Sequence, residues 1–361
     1  MIVMALDHTR DFFTNYSGNP TDLEHASTIM FLTRWVTHYC APVFIFLAGT
    51  SAYLSSRKNV TAQQASRHLL TRGLWLILVE VTLVFMGWTF AADYTRIILQ
   101  VIWAVGCCMV FLSALVYLPW QVILAIGLLL IFGHNAFDGY NPPAQGVGGI
   151  LWHFLHIQGP IVINHAHTIM VIYPLIPWIG VMAVGYCMGR VFTRPAAQRD
   201  KTLFSIGIGA IVLFILLRFS NLYGDPTPWA PQHAWWRTIL SFINCSKYPP
   251  SLLYLLMTLG PAITALPLLE RIGNLPGKIF TVYGRVPMFY YLLHIYLIHF
   301  MAVAVSAITR QNAPVSMLSH PGYSLPLVYL FWLSAVSILY LPCLWFMRVK
   351  MKHKWWWLGY L

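Results

Sequence analysis

Ionisable side chains recur inside segments otherwise apolar enough to cross a bilayer, and these are the residues with chemistry to offer. The first such segment ends Ala5-Leu6-Asp7-His8-Thr9-Arg10-Asp11. Asp7 and Asp11 share a helical face at i,i+4, with Arg10 three residues on from Asp7. The second opens Thr33-Arg34-Trp35-Val36-Thr37-His38, which puts Arg34 and His38 on one face at the same spacing. The third carries Glu80 with no neutralising residue nearby in its own helix. A late segment reads Gly284-Arg285-Val286-Pro287-Met288-Phe289-Tyr290-Tyr291-Leu292-Leu293-His294, followed by His299, so Tyr290 and His294 stack at i,i+4. Ionisable groups in hydrocarbon are costly and by default mark a site. Imidazole changes charge near neutral pH and suits a general base, and Asp7 would orient His8 and fix its tautomer.

Depth turns these residues into a constellation. At 1.5 Å per residue, His8, His38, Glu80 and His294 lie roughly 9, 12, 15 and 16 Å below the expected outer ends of their helices. Four helices would then hold ionisable groups in one layer in the outer half of the bilayer. Plainer readings stand beside this one. A lone His near a helix end is more often an interhelical hydrogen-bonding residue, Asp7 and Arg10 would form a neutralised pair, and Arg34 would snorkel to water. The connection 135–167 holds His153, His156, His165 and His167, with His134 at its edge. That spacing suits a divalent metal, but no carboxylate or Cys supports it, and no metal is expected.

These residues need a scaffold of membrane helices. The chain has 361 residues, 58% hydrophobic and 9% charged, and a mean hydropathy of +0.67. A soluble domain carries about a quarter charged residues, so a disordered tail, a coiled coil, a disulfide scaffold and a cytosolic enzyme are excluded. Apolar runs of about 20 residues point to an all-α polytopic membrane protein. Ten helices are expected, at 1–14, 30–55, 68–90, 96–116, 119–134, 168–192, 202–221, 249–269, 279–305 and 325–347, forming one integral-membrane domain over 1–361. The first is short for a span and reads as truncated. No cleavable signal peptide is expected, since Asp7, His8, Arg10 and Asp11 interrupt the first apolar run. The six cysteines form no framework, since five lie in spans and Cys245 stands alone. Gly49, Gly180 and Gly185 read as helix-packing points.

Charge sets the orientation. Arg57, Lys58, Arg67, Arg72, Arg190, Arg194, Arg199, Lys201, Arg271, Lys278, Arg285, Arg348, Lys350, Lys352 and Lys354 fall on alternating connections and the tail. The opposite side holds only Arg10, Arg34, Arg96, Arg218, Arg237, Lys247 and Arg310. The positive-inside rule puts both termini in the cytoplasm. The formal charge of +12 is therefore a topology signal, and no nucleic-acid partner is expected.

Three stretches resemble a known family: Met4-Ala5-Leu6-Asp7-His8-Thr9-Arg10-Asp11-Phe12-Phe13, Thr33-Arg34-Trp35-Val36-Thr37-His38-Tyr39-Cys40-Ala41-Pro42-Val43-Phe44 and Leu47-Ala48-Gly49-Thr50-Ser51-Ala52. Tyr173-Pro174-Leu175-Ile176-Pro177-Trp178, Lys247-Tyr248-Pro249-Pro250-Ser251 and the Gly284–Tyr291 stretch look like it as well. The family is the bacterial branch of the heparan-α-glucosaminide N-acetyltransferase-like membrane proteins. The resemblance implies a transmembrane acyltransferase. Lysosomal members move acetyl from cytosolic acetyl-CoA to a terminal glucosamine amine, using a membrane-embedded His with a polar first-helix residue nearby. The eukaryotic catalytic His opens a His-Ala-x-Trp-Asn-Gly stretch. Here His25-Ala26 is followed by Ser27-Thr28-Ile29, so that signature is absent, and the first-helix polar position falls near His8.

The expectation is an inner-membrane acyltransferase moving an acyl group from cytoplasmic acyl-CoA to a carbohydrate-like amine or hydroxyl outside. His38 and His8 would act as base or acyl carrier, Asp7 would orient, and Arg34 would stabilise the oxyanion. His294 and Glu80 are further catalytic candidates. Arg285, Lys278 and Arg271 would meet the phosphates of acetyl-CoA or another acyl-CoA, the expected co-substrate. Membrane lipid is the surrounding partner, and a homodimer is an expected assembly. The alternatives are a proton-coupled transporter using the same polar layer, and haem or quinone binding between His38 and His294.

Overall fold

The computed structural model describes residues 1–57, 61–272, 275–309, 322–353 and 355–359. Lys58, Arg310 and Lys354, counted above for orientation, lie outside the described residues. In chain order the elements are α1 (Ile2–Phe13), α2 (Thr28–Thr37), α3 (Cys40–Ser56), α4 (Ala62–Val79), α5 (Phe85–Thr89), β1 (Arg96–Leu99), α6 (Val101–Leu115) and α7 (Trp120–Gly133). There follow α8 (Gly146–Leu155), β2 (Gly159–Val162), β3 (Thr168–Val171), α9 (Leu175–Met188), α10 (Ala196–Ser220), α11 (Trp235–Ile243), α12 (Leu252–Glu270), α13 (Leu275–Arg285), α14 (Pro287–Ile308) and α15 (Leu325–Lys352).

The protein is an all-α polytopic membrane protein. Among the described residues, eight helical stretches are long and apolar enough to cross a bilayer. Two of these join neighbouring elements, Thr28–Ser56 and Ala62–Thr89, the latter through a π-helical turn at Glu80–Val84. The remaining two expected spans are shorter helices, α1 with 12 residues and α6 with 15. Fifteen residues rise only about 22 Å, and the reason is local. Residues 96–99 leave the helix to pair as a strand with 168–171, in a three-stranded sheet ordered β1-β3-β2. β-branched and aliphatic runs of four residues satisfy their backbone groups in that sheet where a longer helix was expected.

The chain forms two compact units. The first comprises residues 1–40, 82–92 and 271–361. In it α1 and α15 are antiparallel. Thr14 bridges Tyr323 at one end, and the Trp332 indole N–H donates to the Ile2 carbonyl, 2.9 Å away, at the other. Phe13 lies on Phe331 at 4.2 Å, and Phe289 on Phe346 at 4.2 Å. α1 runs parallel to α14, as His8 meets His294 and Phe12 meets His299. Ser27 caps α2 through the Met30 amide, and Pro287 and Pro326 sit in the first turns of α14 and α15, where a missing N–H costs nothing.

The second unit comprises residues 41–81 and 93–270. Its helices pair through glycine. A Cβ on Gly73 would stand 2.6 Å from the Gly106 carbonyl oxygen, and one on Gly106 2.7 Å from that of Gly73. Gly49, Gly180 and Gly185 also face backbone at distances no side chain would tolerate, which bears out their reading as packing points. All six cysteines are unbridged.

Candidate active site

Helix α1 carries two chemistries because consecutive residues point about 100° apart on a helix. Asp7, with Arg10 and Asp11, lies on one side. His8, with Phe12 one turn on, lies on another.

On the charged side, Arg34 Nη1 reaches both Asp7 oxygens at 2.5 Å. The Thr37 hydroxyl donates to Asp7 Oδ1 at 3.0 Å. Arg10 Nη2 bridges Asp7 Oδ1 at 3.0 Å and Asp11 Oδ1 at 2.6 Å. Two guanidiniums thus face two carboxylates, and the cluster is neutral. Arg34 therefore does not snorkel to water; it is tied inward to Asp7. The pairing is physically required, because Arg10 is 4% exposed and an unpaired buried cation would be expensive.

On the imidazole side, hydrogen bonding assigns the tautomers. His294 Nδ1 lies 3.0 Å from the Tyr290 carbonyl oxygen, which only accepts, so Nδ1 carries the proton. His294 Nε2 then presents its lone pair to His8 Nδ1 at 2.7 Å, so His8 donates from Nδ1. The lone pair of neutral His8 is left on Nε2. The two rings are nearly parallel, 4.9 Å apart. Tyr290 stacks on His294 at 5.2 Å, as the sequence spacing anticipates. Trp88 meets His8 edge-on at 4.9 Å and lies flat against Phe12 at 5.2 Å. His294 is fully buried, whereas His8 is half-buried and accessible. The group that fixes the His8 tautomer is thus His294, and the Asp7 carboxylate expected in that role is engaged by Arg34, Arg10 and Thr37.

The other expected site residues are placed as follows. His38 is buried at the end of α2, where its backbone N–H donates to the Arg34 and Trp35 carbonyls at 3.1 Å. Glu80 belongs to the second unit, where its carboxylate accepts the Gln100 and Trp103 amides at 2.9 and 3.1 Å and so caps α6. Arg285, Lys278 and Arg271 are all exposed on the first unit. Arg285 Nη1 stands 3.1 Å from the Met351 sulfur. His299 donates from Nδ1 to the Gly87 carbonyl at 2.9 Å and is sandwiched by Phe90 and Phe12, an arrangement of packing rather than chemistry. Both nitrogens of His294 are committed to hydrogen bonds, which leaves neither to ligate a haem iron.

His25 stands 73% exposed in the connection after α1, its Nδ1 2.8 Å from Asp22 Oδ2. That hydrogen bond raises the imidazole above its ordinary 6.5, while the Glu24 amide and His25 lower Asp22. In the second unit, His156 Nε2 pairs with Asp138 at 3.1 Å, His153 with the Gly149 carbonyl, and His167 with Asn164. Among the described residues no three His, Cys, Asp or Glu converge on a metal position.

Sequence reasoning missed Trp88 and Thr37. Thr37 had a signal, being three residues from Arg34 on one helix. Trp88 had none, as one of 15 Trp in the chain. It also missed Arg218, which reads as an outer-face charge. Its buried guanidinium donates to the carbonyls of Thr227, Ser241, Phe242 and Asn244 and lies 3.8 Å from Asp225.

No curated protein matches the chain. The family model for the catalytic region of heparan-alpha-glucosaminide N-acetyltransferase matches residues 1–220, a span that includes Asp7, His8, Arg34, His38 and Glu80 and stops before His294. That match covers well over half of the 361 residues, and the chain belongs to the heparan-alpha-glucosaminide N-acetyltransferase catalytic family of membrane transferases.

Proposed function

We propose that this protein transfers an acyl group from a cytoplasmic acyl-CoA to an amine or hydroxyl of a carbohydrate-like acceptor on the periplasmic side of a bacterial inner membrane. Both termini are cytoplasmic in this reading. His8 is the general base, and the observation that carries it is the His8–His294 hydrogen bond, which leaves the His8 lone pair on Nε2 of an accessible ring. Transfer from a thioester to an amine or hydroxyl needs a group that takes the nucleophile's proton near neutral pH, and neutral imidazole is suited to that. The buried His294 is a positioning residue.

The donor side fits the same unit. His294 is seven residues into α14, about 10 Å along the axis from Pro287. Arg285 precedes that helix, and Lys278 shares α13 with it. Cations there suit the phosphates of CoA, and a thioester arm entering along α14 would run toward the imidazole pair. The neutral cluster of Arg10, Arg34, Asp7 and Asp11 serves as a brace that fixes α1 against α2.

The test is acetyl-CoA turnover in proteoliposomes with amino-sugar acceptors, read as free thiol released. His8→Ala is expected to lower kcat by about a hundredfold or more, within the usual range for a general base. Unchanged turnover in His8→Ala would overturn the assignment. Loss of turnover in His25→Ala, with His8→Ala active, would move the base to the Asp22–His25 pair.

A further inference from the structure

Two buried hydrogen-bond donors beside the imidazole pair have no partner among the described residues, the Trp88 indole Nε1 and the Tyr290 hydroxyl. Both residues belong to the first unit. Trp88 is 3% exposed and Tyr290 fully buried. A buried unsatisfied donor costs about 1–3 kcal/mol, and such groups are rare enough to need a reason. An indole N–H only donates, so its missing partner is an acceptor atom.

The four rings form a row. Tyr290 to His294 is 5.2 Å, His294 to His8 is 4.9 Å, and His8 to Trp88 is 4.9 Å. Of these two donors, Trp88 is the one whose ring meets the proposed base directly. Trp88 is also held stiffly. Its ring is stacked on Phe12, and the Gly87 carbonyl before it takes the His299 Nδ1–H. A Cβ on Gly87 would stand 3.0 Å from the side chains of Ile295 and Tyr296 of α14, so the residue before Trp88 packs closely on that helix. A fixed donor in a dry site is what stabilises charge developing on oxygen, because it needs no reorganisation when that charge forms.

We propose that the Trp88 indole N–H is the oxyanion donor of the reaction, binding the carbonyl oxygen of the acyl group under transfer. This rests on the acyltransferase reading above. The acceptor's amine or hydroxyl attacks the thioester carbonyl carbon while His8 Nε2 takes its proton, and the C=O π pair moves on to oxygen. The Trp88 N–H donates to that oxyanion. The pair then re-forms the carbonyl, the C–S bond breaks with its electrons on sulfur, and the proton held by His8 passes to the thiolate. The products are an amide or ester and free CoA thiol, with His8 neutral again.

The test removes the N–H and keeps the shape, by replacing the Trp88 indole with benzothiophene through an unnatural amino acid. Trp88→Phe and Trp88→His, the latter retaining a ring N–H, accompany it. Size-exclusion elution and heat stability of each variant check the fold. The expected result is a kcat about a hundredfold lower for the benzothiophene and Phe variants, typical of losing one oxyanion donor. KM for acetyl-CoA stays within twofold, and Trp88→His recovers part of the loss. A benzothiophene variant with wild-type kcat, or one altered only in KM, would overturn the proposal. If that variant is unaffected while His8→Ala is inactive, this inference fails and the acyltransferase reading stands. If His8→Ala is fully active, both fail.

Discussion

Replacing His294 by Phe probes whether a buried imidazole sets the tautomer of an accessible one. Phe keeps an aromatic ring beside Tyr290 but cannot accept from His8 Nδ1 or donate to the Tyr290 carbonyl, contacts of 2.7 and 3.0 Å in the native protein. His8 then loses the His294 acceptor that holds its proton on Nδ1 and its lone pair on Nε2. Truncating one partner of a buried hydrogen bond costs about 1–3 kcal/mol. At 1.36 kcal/mol per tenfold, kcat should fall by about 5- to 150-fold. KM should stay within twofold, because His294 is wholly buried and out of reach of either substrate. Thiol release at saturating and limiting acetyl-CoA separates the two constants. His294→Gln is the control, as its amide oxygen can accept from His8 while its NH2 donates to Tyr290. Gln should recover at least tenfold over Phe. A Phe variant within twofold of wild type in kcat, or a Gln variant no better than Phe, would refute the tautomer argument.

The charge brace predicts a double-mutant cycle. Asp7→Asn leaves Arg10 and Arg34 facing one remaining carboxylate, and breaking a pair this buried costs about 3–5 kcal/mol. The double variant Asp7→Asn with Arg34→Gln should be less destabilised than the two singles summed, by at least about 1 kcal/mol of coupling, in detergent-solubilised thermal unfolding; strict additivity would show that the pair is not coupled. Arg218→Met removes donors from four carbonyls and takes the counter-ion from Asp225, whose side chain is 1% exposed and keeps the Thr227 and Ser246 amides and the Ser251 hydroxyl. It should lower stability by about 3–5 kcal/mol, with part of that restored by adding Asp225→Asn; a loss below about 1 kcal/mol would count against the cage. His25 should titrate above its ordinary 6.5 because Asp22 holds its proton, and Asp22→Asn should bring it back down. Since the folded value is the raised one, the pair's small stabilisation is fully present below 6.5 and fades as pH rises through the folded value. Histidine NMR in the two proteins checks the direction, and an unmoved or upward shift in Asp22→Asn would contradict it.

The parts of this protein legible in its sequence are those fixed by local rules. Hydrocarbon length and solvent set the spans, and i,i+3 or i,i+4 spacing set the pairs within a helix. Arg10 does pair with Asp7 at i,i+3, and Tyr290 does stack on His294 at i,i+4, because both relations are dictated by one helix's geometry. Glycines at Gly49, Gly180 and Gly185 were readable because close backbone approach tolerates little else. Relations between helices were not readable. Glu80, unneutralised in its own helix, looked like chemistry, yet two backbone amides some twenty residues on satisfy it. A carboxylate can be balanced by donors that leave no trace in composition. The β1–β3 pairing shortened α6 for the same reason, since strand partners 72 residues apart are invisible to a hydropathy window.

The placement of Asp7 and His8 shows why adjacency in sequence misled about roles. Neighbours along a helix diverge by about 100°, so a carboxylate and an imidazole at consecutive positions serve different partners. Asp7 turns to Arg34 on α2, and His8 turns to His294 on α14. One twelve-residue helix thereby couples a rigid electrostatic brace to the hydrogen-bonded imidazole proposed as the base. The brace explains how a short α1 stays in register: sliding by one residue would move Asp7 from Arg34 and His8 from His294 together. A base with a lone pair fixed in direction requires that register. The charged cluster therefore contributes to the proposed chemistry by position, not by contact with the reacting atoms.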